Sequence, residues 1–130
     1  MNTSGSEIAQ SFMDALKRVE KEREVAPLVA LFAEDATLER MTHKTYEGKG
    51  DVETFWTEYL EPFDEVSTEF YNVTEDDETV VLEWRSKGKL KGGKDISYRG
   101  VSSFDVEGGK VKSFRTYYDS AAFLTEGASA

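Results

Sequence analysis

Two alternating segments joined by a pair of glycines constrain the fold of this chain most strongly. Residues 96–106 and 110–118 largely alternate between apolar and polar side chains, which is typical of strands with one buried face. Their connection, Glu107-Gly-Gly-Lys110, contains the two glycines that a two-residue hairpin turn favours. An antiparallel hairpin is therefore predicted. One face of its second strand carries Phe114, Thr116 and Tyr118, and the other carries Ser113, Arg115 and Tyr117.

Two segments further upstream have the same β character. Residues 66–73 and 80–89 are rich in β-branched and aromatic side chains. The acidic run Glu75–Glu78 separates them, and Lys91-Gly-Gly-Lys94 marks the next turn. A period of two then predicts an inner face that includes Trp84. The predicted inner residues are Val80, Leu82, Trp84, Ser86, Tyr98, Gly100, Ser102 and Phe104, and the predicted outer residues are Glu83, Arg85 and Lys87.

The N-terminal part of the chain predicts helices instead. Ser4-Gly-Ser-Glu7 fits a capping box, and apolar residues then recur at helical spacing up to about Lys21. The run Glu20-Lys-Glu-Arg-Glu24 is interpreted as a charged connector. Pro27 fits the first turn of a short second helix, which Phe32-Ala-Glu-Asp35 is predicted to end.

A strand over residues 36–43 and a third helix follow. Asp51 is predicted to cap that helix, and Pro62 is predicted to end it. Helices followed by an antiparallel meander predict an α+β fold, with the helices on one face of a curved sheet. The apolar stripe of the third helix consists of Val52, Phe55, Trp56, Tyr59 and Leu60.

The composition argues against several classes of function. The net charge is −10, and residues 1–82 carry 7 Lys and Arg against 20 Asp and Glu, so no nucleic-acid partner is expected. No apolar run approaches the roughly 20 residues of a membrane span, the first residues show no secretion signal, and a cytoplasmic location is expected. Cysteine is absent, and Glu75–Glu78 lacks the spacing of a calcium loop. The sequence therefore predicts no metal site and no cofactor.

Three motifs, taken together, resemble one family. They are Leu31-Phe-Ala-Glu-Asp-Ala-Thr-Leu38, Tyr46-Glu-Gly-Lys-Gly-Asp-Val-Glu-Thr-Phe-Trp56 and Gly109-Lys-Val-Lys-Ser-Phe-Arg-Thr-Tyr-Tyr-Asp119. Their order and spacing resemble the SnoaL-like branch of the nuclear-transport-factor-2-like superfamily. The resemblance implies a cone-like α+β barrel with a pocket between the helices and a curved, mostly antiparallel sheet, and homodimers through the outer sheet face. It covers residues 6–124, so a single domain is expected over residues 1–130, with a frayed C-terminal tail.

The family includes polyketide cyclases, ketosteroid isomerases, limonene-type epoxide hydrolases and members without a reaction. The resemblance places the isomerase base at Arg40, which accepts no proton, and the isomerase tyrosine near Phe12. A carboxylate of the hydrolases and cyclases falls at Thr116. The other two catalytic positions of the hydrolases fall near Trp84 and Ser86. None of the usual carboxylates of the family is therefore expected in the pocket.

We expect the pocket to bind a small-molecule ligand that is mostly apolar. Arg40, which shares the inner side of its strand with Leu38 and Thr42, is expected to bind an anionic group of that ligand. The alternatives for Arg40 are an internal ion pair, with Glu69 or Asp119 as its partner, and a position at a solvent edge. The alternative for the aromatic residues is ordinary core packing. The predicted ligand-binding residues are Arg40, Phe12, Leu16, Phe55, Trp56, Tyr59, Trp84, Tyr98, Phe114, Thr116 and Tyr118.

Two further classes of function stay open, an enzyme of the cyclase or isomerase type and an association domain without a reaction. His43, the only histidine, is a candidate base, although its strand position favours an exposed site. Asp119 is another candidate base, and its alternative role is to hold the turn into Ser120-Ala-Ala-Phe123. Tyr118 and Tyr98 are candidate donors to a developing oxyanion, unless their hydroxyls bind neighbouring backbone groups.

Overall fold

The computed structural model describes residues 5–40 and 44–123. Within them the helices are α1 (Gly5–Glu22), α2 (Ala26–Val29) and α3 (Lys49–Leu60). The strands are β1 (Phe32–Glu39), β2 (Thr45–Glu47), β3 (Phe63–Glu75), β4 (Thr79–Leu90), β5 (Asp95–Glu107) and β6 (Lys110–Tyr118). One turn of 3₁₀ helix follows at Ser120–Phe123. The predicted α+β class is confirmed.

All six strands form one curved sheet in the order β2-β1-β6-β5-β4-β3. β1 and β6 are parallel, and the other neighbouring pairs are antiparallel. The sheet does not close, because β2 and β3 lie at its two borders. The register shifts between Phe70 and Asn72 in β3 and between Asp105 and Val106 in β5, and such irregularities bend a strand. α1 packs against β3 and β4, and α3 packs against β1 and β2.

The inner and outer faces of the long strands agree with the predicted alternation. Trp84 and Ser86 of β4 are buried, whereas Arg85 and Lys87 are exposed. The predicted hairpin between β5 and β6 is also present, because Glu107 pairs with Lys110. Its two glycines, residues 108 and 109, have φ angles of 60° and 78°, in the left-handed region that a two-residue turn requires.

The start of β1 differs from the prediction. β1 begins at Phe32 rather than at residue 36, because Phe32 pairs with Val111 of β6. The backbone N–H of Val111 also donates to the carbonyl of Leu31, with an N–O distance of 2.8 Å. The stretch Phe32-Ala-Glu-Asp35 is therefore strand and not the end of α2. The three-residue strand β2, which pairs with β1, was not predicted.

Two helix boundaries also differ. α1 extends through Glu22, so the start of the predicted charged connector is helical. α3 begins at Lys49 after Gly48, which makes the prediction of Asp51 as its cap wrong. Asp51 lies in the first turn, where its carboxylate accepts a hydrogen bond from the N–H of Glu47 (3.0 Å). Ser4 of the predicted capping box, residues 41–43 and residues 124–130 lie outside the described residues.

An aromatic cluster joins α1 and α3 to the sheet. The ring of Phe12 lies 5.0 Å from that of Phe104, 5.6 Å from that of Phe114 and 5.9 Å from that of Trp56, measured between centroids. All four side chains are buried, and the burial of each contributes about 1.5–3 kcal/mol to stability. The cluster therefore fixes the separation between the helices and the sheet. Three of its rings also form part of the wall of a cavity.

Candidate functional site

A cavity of about 270 Å³ lies between the helices and the inner face of the sheet. This is slightly below the roughly 300–1,000 Å³ that ligand pockets usually occupy. Its wall is mostly aromatic, and hydroxyl groups from the long strands supply most of its polar atoms. The structure brings all the predicted ligand-binding residues to this wall, and their role in binding stays a prediction. They are Arg40, Phe12, Leu16, Phe55, Trp56, Tyr59, Trp84, Tyr98, Phe114, Thr116 and Tyr118.

Sequence reasoning missed three aromatic residues of the wall, Phe63, Phe70 and Phe123. The alternation of β3 would have indicated Phe70, which pairs with the inward Trp84. Phe63 could not be found in this way, because the register of β3 shifts just after it. Phe123 reaches the cavity through the 3₁₀ turn that follows β6; the sequence indicated a turn after Asp119 but not the direction of the Phe123 side chain. Leu38, which was expected on the inner side of β1, is buried but is not part of the wall.

Arg40 lies at the wall, and its partner differs from both predicted alternatives. Its Nη2 donates to the carbonyl of Phe55 (3.0 Å) and lies 3.7 Å from Oε1 of Glu58. Its guanidinium carbon lies 4.2 Å from the centroid of the Phe55 ring, a cation–π distance. The predicted partner Glu69 instead pairs with Arg85 on the outer face (3.3 Å). The other predicted partner, Asp119, forms no ion pair with Arg40 in the part of the chain that the structure describes.

Glu58 is a carboxylate at the wall that the sequence analysis did not indicate. It belongs to α3 and lines the wall, where it also accepts a hydrogen bond from the hydroxyl of Tyr46. The catalytic positions implied by the family resemblance lie on strands, directly after β1 and on α1, whereas Glu58 lies on α3. The Arg40 charge is therefore partly neutralised within the wall.

Glu20 is a second carboxylate that sequence reasoning missed. Its Oε2 accepts hydrogen bonds from the hydroxyls of Tyr59 and Thr68, both at 2.6 Å, and its Oε1 accepts one from the backbone N–H of Thr68 (3.0 Å). Glu20 is 7% exposed and lies behind these two residues rather than in the wall. Burial raises the pKa of Glu20 above its usual 4.5, and the hydrogen bonds from Thr68 and Tyr59 oppose that rise.

Two further groups of polar atoms lie at the wall. The indole N–H of Trp84 donates to Oγ of Ser102 (2.9 Å), and that oxygen lies 2.9 Å from Oγ1 of Thr116. Thr116 thus belongs to a hydroxyl pair at the position where the family resemblance implied a carboxylate. The indole N–H of Trp56 is buried without a hydrogen-bond partner among residues 5–40 and 44–123.

The arrangement of helices, curved sheet and internal cavity agrees with the resemblance inferred from the three motifs. The family model of the SnoaL-like domain matches residues 9–114. The chain belongs to this family. No curated protein matches the sequence of this SnoaL-like domain significantly.

Solved structures support the same fold for this SnoaL-like domain. An NTF2-like protein from Anabaena variabilis ATCC 29413 is 27% identical, with a TM-score of 0.83 and 91% of each chain covered. A protein assigned to the SnoaL-like polyketide cyclases, from Jannaschia sp. CCS1, is 19% identical, with a TM-score of 0.76 and 93% of each chain covered. An LEH-like epoxide hydrolase from M. tuberculosis is 15% identical, with a TM-score of 0.68, and 88% of this chain and 82% of that one are covered. The predicted cone-like α+β fold and the superfamily are confirmed.

The candidate catalytic residues of the SnoaL-like domain occupy different places. Asp119 is exposed and is not part of the wall; its Oδ1 accepts a hydrogen bond from the N–H of Ala121 (3.1 Å), which fits the predicted role in holding the turn. Tyr118 and Tyr98 line the wall. Burial raises the pKa of Tyr98 well above its usual 10, so its phenol stays protonated near neutral pH. His43, like Thr42, lies outside the described residues.

In the part of the chain that the structure describes, no three His, Asp or Glu side chains are grouped so that they could hold a metal ion. No helix in those same residues has both the length and the apolarity needed to cross a bilayer.

Proposed function

We propose that this SnoaL-like domain acts as one unit over residues 1–130 and binds a small, mostly apolar molecule in its cavity. The aromatic wall of the cavity supports this proposal most directly, since both tryptophans of the protein, Trp56 and Trp84, belong to it. Apolar ligands favour such a wall because their transfer from water removes apolar surface from the solvent. Binding requires no carboxylate at the family's catalytic positions. A cytoplasmic location stays a prediction.

The contacts of Arg40 support the proposal that one end of the ligand carries an anionic group. Within residues 5–40 and 44–123 both of its polar contacts, to the carbonyl of Phe55 and to Glu58, involve Nη2. A guanidinium has five N–H groups, so these contacts leave other donors for a ligand carboxylate. The stacking on the Phe55 ring, at 4.2 Å, holds the plane of the guanidinium in place.

Replacement of Arg40 tests this assignment. Arg40→Ala should weaken the binding of 4-tert-butylbenzoate by about 1.5–3 kcal/mol, because a charged hydrogen bond is lost. The neutral analogue 4-tert-butylbenzamide should lose much less affinity. Isothermal titration calorimetry with both probes measures the difference.

Arg18→Ala is the matched control, because Arg18 is 63% exposed on α1, and its binding constants should equal those of the wild type. Equal losses for the benzoate and the benzamide in Arg40→Ala would contradict the role of Arg40 as an anion-binding residue. A wild-type protein that binds neither probe, nor the phenol and fluorobenzene probes described below, would contradict the proposed function itself.

A second candidate function is an enzyme of the cyclase or isomerase type that uses a carboxylate from an unusual position. The observation that favours it is the presence of Glu58 at the wall. Asp119, the candidate base suggested by the sequence, has less support because it is exposed and outside the wall.

We also propose that the domain forms a homodimer through the outer face of its sheet. Three large side chains on this face are exposed, Tyr71 by 42%, Val101 by 37% and Tyr117 by 50%. Val101 and Tyr117 are paired across β5 and β6, so their apolar surfaces adjoin. Adjacent exposed apolar side chains on a sheet are typical of protein interfaces.

A further inference from the structure

Glu20 is connected to the cavity through a cluster of hydroxyl groups. Oγ1 of Thr68, which donates to Glu20, lies 2.6 Å from Oγ of Ser86. Glu20 thus lies at one end of a continuous series of hydrogen bonds that reaches Ser86. The three hydroxyl residues of this cluster, Tyr59, Thr68 and Ser86, all line the cavity.

The ionised carboxylate of Glu20 sets the direction of every hydrogen bond in the cluster, because a carboxylate can only accept. Tyr59 and Thr68 each have one hydroxyl hydrogen, and both donate it to Glu20. Thr68 has no second hydroxyl hydrogen, so Ser86 must donate to Thr68. All three hydroxyl hydrogens are therefore used within the cluster, and only oxygen lone pairs are left for a ligand.

The other hydroxyl pair of the wall provides a contrast. Ser102 and Thr116 lie 2.9 Å apart and have two hydroxyl hydrogens between them. Their mutual hydrogen bond uses one of the two, and the Trp84 N–H occupies only a lone pair of Ser102. This pair can therefore still donate to a ligand. The restriction to accepting is thus specific to the cluster that Glu20 backs.

Building on the proposed function, we propose that the hydroxyl cluster selects ligands that present a hydrogen-bond donor, namely small apolar alcohols or phenols. A ligand hydroxyl donates to Oγ of Ser86 and so replaces the hydrogen bond it loses to water. An ether, carbonyl or fluorine at the same place meets only lone pairs and stays unpaired, which is unfavourable in a buried site. Ser86 is a specificity-determining residue, and Glu20 is a positioning residue that acts through the hydroxyls.

The test compares 4-tert-butylphenol with 1-tert-butyl-4-fluorobenzene, whose fluorine is close in size to a hydroxyl and donates no hydrogen. Isothermal titration calorimetry is done at about pH 8, because this pH favours the ionised form of Glu20. The wild type should bind the phenol at least about tenfold more tightly than the fluoro compound.

Two variants test the role of the cluster. Ser86→Ala removes an acceptor. Glu20→Gln places an N–H donor against the hydroxyls and frees one of their hydrogens. Both variants should reduce the ratio of the two dissociation constants to within about threefold of unity.

Ser97→Ala is the matched control, because Ser97 lies on the exposed face of β5, and it should keep the wild-type ratio. If Glu20→Gln fails to fold, Ser86→Ala decides the result. Equal binding of the two compounds by the wild type would overturn the inference and leave the proposed function intact. An unchanged ratio in Ser86→Ala, or a reduced ratio in Ser97→Ala, would overturn it as well. If the wild type binds neither compound nor the benzoate and benzamide probes, both proposals fail.

Discussion

At the scale of single residues, Glu20 contributes to the response of the protein's stability to pH. Burial raises the pKa of this carboxyl above 4.5 in the folded state, whereas in the unfolded chain it returns to about its usual value. The folded protein therefore binds the proton more tightly than the unfolded chain does. The contribution of Glu20 to the free energy of unfolding must then decrease as pH rises from about 4.5 through the raised pKa.

Glu20→Gln should remove this decrease. The amide does not titrate, so the free energy of unfolding of the variant should stay flatter over that pH range than the wild type's. Urea unfolding of both proteins at a series of pH values measures the difference. Asp35 and Asp76, whose pKa values are lowered by hydrogen bonds from Lys112 and from the backbone of Glu78 respectively, contribute equally to both curves. Parallel curves for the two proteins would show that Glu20 has the same pKa in both states.

The sequence indicated some residues of the site and could not indicate others. The alternation of β4, β5 and β6 placed Trp84, Tyr98 and Thr116 on the inner face, because period two is a local property of a strand. Glu20 was missed because its neighbours in the sequence are charged, which is typical of a solvated segment. Its burial depends on how α1 crosses β3, and that packing angle is not a local property. The pairing of Arg40 with Glu58 depends in the same way on the position of α3.

At the scale of an element, Gly100 lets β5 pass beneath the indole of Trp84. A Cβ atom added at Gly100 would lie 2.4 Å from the carbonyl oxygen of Tyr117 and 2.5 Å from Cζ2 of Trp84. Both distances are far shorter than an ordinary van der Waals contact. A side chain at residue 100 would therefore displace the indole of Trp84, which belongs to the wall of the cavity.

Gly100→Ala should lower the free energy of unfolding by about 1–3 kcal/mol, the usual effect of overpacking. Chemical denaturation measures this loss, and the tryptophan emission spectrum of the folded variant reports the displaced indole. The control is Gly50→Ala in α3, where an added Cβ meets nothing within 4 Å, and alanine there should be neutral or stabilising by up to about 1 kcal/mol. Equal stability of Gly100→Ala and the wild type would contradict the close packing described here.

The boundaries of elements were less predictable than their faces. β1 begins four residues before its predicted start because β6, almost eighty residues later, pairs with Phe32. The three-residue β2 is too short for a periodic pattern and exists because it pairs with β1. The glycine hairpin between β5 and β6 was predictable, since both of its positive φ angles belong to the turn itself.

At the scale of the whole molecule, the proposed dimer can be tested at its most exposed aromatic side chain. Tyr117→Lys places a charge at the centre of the proposed interface and should shift the protein from dimer to monomer, because a buried unpaired charge is unfavourable. Sedimentation velocity measures the change. Thr57→Lys, on the exposed side of α3, adds the same charge elsewhere and should stay dimeric. A wild type that sediments as a monomer at high concentration would contradict the proposal.

The order of three motifs was enough to predict the architecture of the whole molecule, because fold depends on features spread over most of the chain. The residues of the cavity wall were harder to predict from the sequence, since they come from helices, strands and a terminal turn. The two carboxylates near the wall, Glu20 and Glu58, come from helices that also carry other charged residues. Their special surroundings exist only after the helices pack on the sheet.

The open border at β3 has a consequence for the behaviour of the protein at high concentration. A thirteen-residue strand with an unpaired edge is a template on which further copies can add strands and grow into fibres. β3 carries four acidic side chains, Asp64, Glu65, Glu69 and Glu75. Their mutual repulsion keeps two such edges apart, so the acidity of this border protects the protein against aggregation.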